Sequence, residues 1–202
     1  MTQILKRLIK LAALGFVLTQ GTAFAAFTMY VYQSGANVVA SGSGSLNLAG
    51  VTVGAGGSGP AQVNPPNADL ITGPTVTESA FSVTGPTSFG PGPDTIATSS
   101  SGTAIWISGL VHRLFFDQTY VSGASISSSA TWNATTLAAL GLTTGTYTWT
   151  WGAGANADSY TLIVGSAPPA PVPALTLHEE AALALAMVAA AGFLMRRTRA
   201  RI

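Results

Sequence analysis

Residues 130–165, ATWNATTLAALGLTTGTYTWTWGAGANADSYTLIVG, hold the pattern that decides the fold. In the second half of this stretch, Tyr147, Trp149 and Trp151 alternate with threonines. Successive side chains of a strand point to opposite faces, so this alternation predicts a strand with one aromatic face. The segment DSYTLIVG predicts a second strand, and the glycine-rich GAGANA between the two favours a hairpin.

The first half of the stretch predicts one short helix, with Asn133 as its N-cap and Gly141 at its end. Elsewhere, short alternating segments are separated by Gly, Ser, Asn and Pro, which is typical of an all-β domain. The chain is therefore predicted to be mainly β: residues 26–166 should form an antiparallel, jelly-roll-like β-sandwich. Further strands are predicted at 27–32, 36–50, 75–83, 104–109, 111–123 and 126–132, and loops at 54–66 and 88–102.

The N-terminus has the features of an export signal over residues 1–25. Lys6, Arg7 and Lys10 precede the short apolar stretch LAALGFVL, which predicts a signal helix. Ala23 and Ala25 supply the small residues that signal peptidase requires, so cleavage is expected just before Ala26. The alternatives are a permanent membrane anchor or an amphipathic first helix.

The C-terminus combines a proline-rich spacer at 167–180 with an apolar run at 181–195. The run is about 22 Å long as a helix, whereas a bilayer core is about 30 Å thick, so flanking leucines and snorkelling arginines must complete a transmembrane span. Residues 181–202 are therefore predicted to be a transmembrane helix followed by an arginine-rich stop-transfer tail, with the body outside and only this tail in the cytoplasm. The arginines of the tail are Arg196, Arg197, Arg199 and Arg201. The alternative is a helix that packs on the core.

The order of signal peptide, β-rich body, proline spacer, apolar helix and arginines resembles the bacterial PEP-CTERM sorting signals. Val172, Pro173, Ala174 and Leu175 resemble the sorting motif of the IPTL-CTERM variant, although Ala174 departs from it and the acidic-then-tryptophan element is missing. The resemblance implies an exosortase-like membrane enzyme that removes the helix and releases or re-attaches the body. Residues 114–165 are also similar to secreted proteins of biofilm-forming bacteria that carry such tails and have no assigned chemistry.

The charges exclude one class of partner. Seven of the eight Lys and Arg residues lie near the chain ends, which leaves the body with Arg113 against five carboxylates. A body without a basic patch cannot neutralise phosphates, so nucleic-acid binding is not expected.

The chain has few residues that could catalyse a reaction or bind a metal. It has no cysteine, and the body has one histidine, His112, with Asp117 as a neighbouring acid but no Gly-x-Ser-x-Gly elbow. The five acids are spread singly, and no zinc or calcium motif is present. We expect no enzyme activity, no cofactor and no metal. A hydrolase would need His112 or two of the acids to converge in a cleft.

The tryptophans allow two interpretations. Trp149 and Trp151 are candidates for a platform that stacks on sugar rings, but burial in the sandwich core is favoured because large aromatic residues usually fill such cores. Trp106 and Trp132 are further platform candidates. The sequence therefore predicts an exported surface or extracellular-matrix protein that acts by placement in a hydrated exopolysaccharide. The alternatives are a carbohydrate-binding module, a hydrolase and a permanently anchored membrane protein.

Overall fold

The computed structural model describes residues 26–170. The predicted signal peptide, the predicted sorting motif at 172–175 and the predicted transmembrane helix with its arginines lie outside the described residues. Among the helices of residues 26–170, none has the length and apolar character needed to cross a membrane.

The described part of the chain is mainly β, as predicted. Its elements in chain order are β1 (Ala26–Ser34), β2 (Asn37–Gly44), β3 (Gly54–Ala55), β4 (Gln62–Asn64), a 3-10 turn (Pro65–Asn67), β5 (Asp69–Thr72), β6 (Glu78–Ser82), β7 (Thr95–Ile96), β8 (Ser99–Gly102), β9 (Ile105–Ser108), β10 (Arg113–Asp117), β11 (Ile126–Trp132), β12 (Gly145–Trp151), a second 3-10 turn (Gly154–Asn156) and β13 (Asp158–Val164).

The strands form two sheets. The first has six strands in the order β12-β13-β1-β2-β11-β8, and the second has seven in the order β3-β6-β10-β9-β5-β4-β7. The predicted β12–β13 hairpin is confirmed, with Trp149 opposite Tyr160. The β1–β2 hairpin turns at Gly35, whose φ of 59° is the left-handed conformation that favours glycine.

One strand pair departs from the predicted antiparallel arrangement. The first strand, β1, pairs in parallel with the last, β13, with Phe27 opposite Tyr160 and Val31 opposite Val164. Parallel neighbours need a long connection, and here nearly the whole body provides it. Every other strand pair described in residues 26–170 is antiparallel.

The two sheets pack through their apolar faces, which gives a β-sandwich-like body. Phe81 of the second sheet meets Trp151 of the first with ring centroids 5.0 Å apart. The hydroxyls of Thr72 and Ser128, one from each sheet, lie 2.7 Å apart inside this core, so each satisfies the other where water is excluded. The largest fully buried side chains are Trp149, Tyr160, Phe27, Phe81, Phe89 and Met29, from both sheets and from the loop at 83–94.

The predicted helix at 133–141 is wrong in its extent and in its N-cap. The structure has a single turn, in which the amide of Ala139 donates to Oγ1 of Thr136, so Thr136 takes the capping role assigned to Asn133. The end at Gly141 is confirmed: its φ is 60°, and the amide of Leu142 donates to the carbonyl of Leu137 in the pattern of a Schellman motif.

The regions predicted as loops contain short strands. Residues 54–66 include β3 and β4, and residues 88–102 include β7 and β8, while β5 was not predicted. The strand expected over 111–123 occupies only Arg113–Asp117. Strands of two to four residues are too short to show a readable alternation in the sequence. Their position is set by pairing with neighbouring strands.

Candidate functional site

The outer face of the first sheet carries almost only hydroxyl side chains, and we call it the hydroxyl face. Apart from the strand-end residues Ala26, Ser34 and Asn37, the residues that alternate with the core positions on its six strands are fifteen Ser, Thr and Tyr side chains and two aliphatic residues, and none has a formal charge at neutral pH. They are Thr28, Tyr30, Tyr32, Val39, Ser41, Ser43, Ser99, Ser101, Ser127, Ser129, Thr131, Thr146, Thr148, Thr150, Ser159, Thr161 and Ile163. Their uniform chemistry makes this face the leading candidate for a binding surface.

An aromatic seam runs through the middle of the hydroxyl face. Tyr30 and Tyr32 lie two residues apart on β1, so both rings lie on the same face of the sheet, and both are half-buried. In the register, Tyr30 is flanked by Ser41 and Ile163, and Tyr32 is opposite Val39. Two rings with two aliphatic neighbours form a flat apolar strip with hydroxyls on either side.

The strand register aligns the hydroxyls in rows across the sheet. One row joins Ser127, Ser43, Thr28, Thr161 and Thr148 across five neighbouring strands. Adjacent strands are about 4.8 Å apart and residues on one face repeat about every 6.7 Å along a strand, so the rows form a regular lattice of donors and acceptors.

Most of these hydroxyls have no protein partner. Ser101 and Ser129 pair at 2.8 Å, Thr148 and Thr161 at 3.4 Å, and Thr150 lies 3.5 Å from a backbone carbonyl. The other hydroxyls of this face, including those of both tyrosines, make no hydrogen bond within residues 26–170. Their hydrogen-bonding capacity is therefore directed to solvent or to a ligand.

The sugar platform proposed at Trp149 and Trp151 is wrong, and the burial interpretation is confirmed. Trp149 is 0 % exposed and Trp151 is 6 % exposed, because β12 turns them into the core. Their indole N–H groups donate to the carbonyls of Pro86 and Asn47, at 2.9 Å each. Neither ring offers a face to a ligand, and Trp132, at 2 % exposed, is excluded in the same way.

Trp106 is the one half-buried tryptophan of the described chain. It lies on the outer face of the second sheet and stacks on Phe115 with centroids 3.9 Å apart. A Cβ on Gly57 would lie 3.9 Å from this indole, so the glycine-rich segment that follows β3 passes over it. Phe115 stacks on one face of Trp106 and this segment passes over the ring, so the indole has protein neighbours on both sides.

His112 and Asp117 do not form a catalytic pair. His112 was predicted within a strand, but it is an exposed turn residue before β10 with a φ of 54°. Asp117 is the last residue of β10, five residues after His112, which places it about 16 Å from His112 along the extended chain. A hydrogen-bonded triad therefore cannot be assembled from this histidine and this acid.

The fold brings together two of the acids that the sequence shows singly. Glu78 of β6 lies directly opposite Asp117 of β10 on the outer face of the second sheet. Burial, and to a lesser degree the charge of Asp117, raises the pKa of Glu78 from 4.5 to about 7. A carboxyl with a raised pKa beside a second carboxyl suits acid–base chemistry, but Glu78 is only 3 % exposed and a substrate cannot reach it.

Two further acids have raised pKa values for a structural reason. Burial raises the pKa of Asp158, although its Oδ2 accepts the amide of Asn47 at 2.7 Å and Oδ1 accepts the amide of Ser159. Burial also raises the pKa of Asp69, the first residue of β5. Asp69 is aligned with Arg113, at the opposite end of β10 from Asp117, and Asp158 belongs to the first sheet. Within residues 26–170 no three His, Asp or Glu side chains meet in a metal-binding group.

A cavity of about 480 Å³ opens between the end of β6 and the end of β12. No ionisable side chain lines it, so it lacks groups for acid–base catalysis. Its lining residues are Gly50, Val51, Thr52, Ser82, Val83, Thr84, Thr150, Trp151 and Gly152.

The alternation of residues in β1 is a sequence pattern from which the outward position of both tyrosines can be predicted. In FTMYVY, Phe27, Met29 and Val31 alternate with Thr28, Tyr30 and Tyr32, so the purely apolar set marks the core and places both tyrosines outside. Of the predicted signal-cleavage residues, Ala26 begins β1, whereas Ala23 and Ala25 lie outside the described residues.

No family model, curated protein or solved structure matches this chain.

Proposed function

We propose that this chain is an exported surface or extracellular-matrix protein that works by placement in a hydrated polysaccharide. The observation that carries the proposal is the hydroxyl face, a broad surface without formal charge whose Ser, Thr and Tyr side chains have few protein partners. Such a surface suits hydrogen bonding to a hydrated neutral polymer and offers no group for catalysis. The proposal therefore includes no enzyme activity and no cofactor.

The sequences of the two terminal segments support a route of export, anchoring and processing for this body. Signal peptidase would cleave before Ala26, which begins β1. The apolar helix at 181–195 and its arginines would hold the body outside the inner membrane. An exosortase-like enzyme would then cut near the motif Val172, Pro173, Ala174 and Leu175. For the body itself, we retain the jelly-roll-like sandwich as the proposed fold class.

The intact mass of the protein recovered from the envelope and the medium of the producing cells tests this route. With the termini mapped by peptide sequencing, we expect a form that begins at Ala26 and ends near Val172. Recovery of only a form that retains Arg196–Ile202 would make the tail a permanent anchor and would overturn the sorting proposal.

A second candidate function, a carbohydrate-binding module, is favoured by one observation. The tyrosine seam supplies stacking surfaces at the centre of the hydroxyl face. Such a module would differ from a matrix filler by binding isolated polysaccharide with measurable affinity.

A further inference from the structure

We propose that the hydroxyl face binds a neutral polysaccharide, with Tyr30 and Tyr32 stacking on its sugar rings. This inference rests on the proposed function, because an exported body is the form that meets such polymers. It adds to that function a defined surface, two anchoring residues and the chemical class of the ligand.

The charge of the body selects neutral polymers over acidic ones. Residues 26–170 contain one arginine against five carboxylates, a net charge of −4. The outward positions of the first sheet include no cation that could pair with a uronic acid, a sulfate or a phosphate. An anionic polymer would therefore be repelled by the body and would find no compensating contact on this face.

The tyrosines have the position that sugar stacking requires. β1 is an interior strand of the first sheet, so the seam lies well inside the face and away from its free edges. The apolar C–H face of a pyranose ring packs on aromatic rings, while its equatorial hydroxyls point sideways. Val39 and Ile163 extend the apolar strip beside the rings, and the Ser and Thr rows on both sides meet the hydroxyls of the sugar.

The lattice of hydroxyls favours a polymer over a single sugar. A hydrogen bond between neutral groups contributes little net free energy, so one ring on this open surface would bind weakly. Hydroxyls about 4.8 Å apart within a row, in rows about 6.7 Å apart, allow successive units of one polymer to bind at once, and the effective concentration of the second unit strengthens the whole contact.

Binding is measured on the full-length chain in a zwitterionic detergent that has no sugar headgroup. Biosensor tips carry cellulose oligomers, glucomannan, dextran, galactan or the neutral exopolysaccharide fraction of the producer, with alginate as the anionic comparison. We expect saturable binding to at least one neutral polymer, with little dependence on salt. Alginate is attracted by the terminal Lys and Arg residues of the full-length chain, so any binding to it should be lost at high salt and should not depend on the tyrosines. Absence of binding to every neutral polymer in this set would overturn the proposal.

Substitutions locate the binding surface. Tyr30→Ala with Tyr32→Ala should weaken binding about tenfold or more, whereas Tyr30→Phe with Tyr32→Phe keeps the rings and should lose only a few-fold. The matched control, Leu110→Ala with Val111→Ala, removes exposed apolar side chains from the turn before β10 and should leave binding unchanged. Unchanged binding in a folded double-alanine variant would contradict the assignment.

A second variant keeps the test valid if the alanine pair fails to fold. Thr148 is exposed on β12, so Thr148→Arg should preserve the fold while placing a long charged side chain over the lattice, and we expect weaker binding. If binding to neutral polymers is absent and the tyrosines instead hold two copies of the chain together, the face is a self-association surface and the proposal is wrong.

The two proposals fail separately. A chain that retains its C-terminal arginines in the cell but binds glucomannan through Tyr30 and Tyr32 would refute sorting and support the binding face. A correctly trimmed chain that binds no neutral polymer would support sorting and refute the binding face.

Discussion

Glu78 is a carboxyl group whose protonation is coupled to folding. Its pKa of about 7 in the folded chain exceeds the ordinary 4.5, and within the described residues its Oε2 has no hydrogen-bond partner. The folded state therefore holds a proton that the unfolded chain releases. The free energy of unfolding must fall as pH rises from about 4.5 to about 7, and this contribution is constant outside that window. Asp117 faces Glu78 from β10, and Arg113 lies on the same face at the other end of that strand.

Replacing the acid by its amide should remove this pH dependence. Glu78→Gln cannot ionise, so its Tm should fall much less between pH 5 and pH 8 than the Tm of the unmodified chain. Asp69 and Asp158, whose pKa values burial also raises, contribute a fall that both proteins share. Thermal unfolding of the full-length chain, followed by tryptophan fluorescence, measures both. Parallel profiles for the two proteins would show that Glu78 does not titrate as inferred.

Gly85 tests how closely the core is packed around Trp149. A Cβ at this position would lie 2.7 Å from Cγ of the indole and 2.8 Å from the carbonyl oxygen of Thr148, neither of which can move freely. Gly85→Ala should cost about 2 kcal/mol of stability, a fall of about 6 °C in Tm. Gly57→Ala is the matched control, because its Cβ would meet only Trp106, at 3.9 Å. Equal Tm values for the two variants would contradict this packing.

The edges of the first sheet are protected to different degrees. On β12, Thr150 donates its amide to the carbonyl of Thr84 at 2.8 Å and accepts the amide of Thr84 at 2.9 Å, which ties this edge to the chain leaving β6. On β8, the residues Ser99–Gly102 are all exposed. Edge strands left open are sites of strand addition, so the two edges should differ in behaviour.

Hydrogen exchange should reveal this difference. Peptides covering β8 should exchange faster than those covering β12, because fewer backbone bonds must break to expose them. Thr84→Pro removes the amide donor of the bridge and should raise exchange in β12, whereas Thr84→Val keeps the backbone pair and should not. Mass spectrometry of the full-length chain measures all three. Similar exchange in β8 and β12 of the unmodified chain would mean that the bridge does not protect the edge.

The elements that the sequence predicts well are the long alternating ones. The strands β12 and β13 are seven residues long, and the alternation in β12 correctly predicts that Trp149 and Trp151 face the core. The short strands β3 and β7 have two residues each, so no period exists in them. The pairing of Glu78 with Asp117 could not be predicted from the sequence either, because it depends on a strand register that no local pattern specifies.

The whole chain separates its charges between the body and the terminal segments. The full sequence has a net charge of +1, a form that begins at Ala26 has five arginines against seven carboxylates, and the form ending at Val172 keeps only Arg113 against five. The corresponding net charges are +1, −2 and −4. Each processing step therefore removes positive charge.

Denaturing isoelectric focusing should separate these three forms. We expect the isoelectric point to fall at each step, so that the trimmed protein focuses at the most acidic position. Substituting Pro173→Ala in the proposed sorting motif should leave the intermediate form in place. If no form more acidic than the intermediate appears in any cell fraction, C-terminal trimming does not occur.

The parallel pairing of β1 with β13 also determines when the first sheet can be completed during folding. A ribosome makes β1 first and β13 last, yet these strands are neighbours inside one sheet, so that sheet stays incomplete until residue 164 exists. Contacts so distant in sequence form slowly. The core of the nascent chain therefore stays incomplete throughout synthesis. Pairing of β13 with β1 is the step that completes the fold.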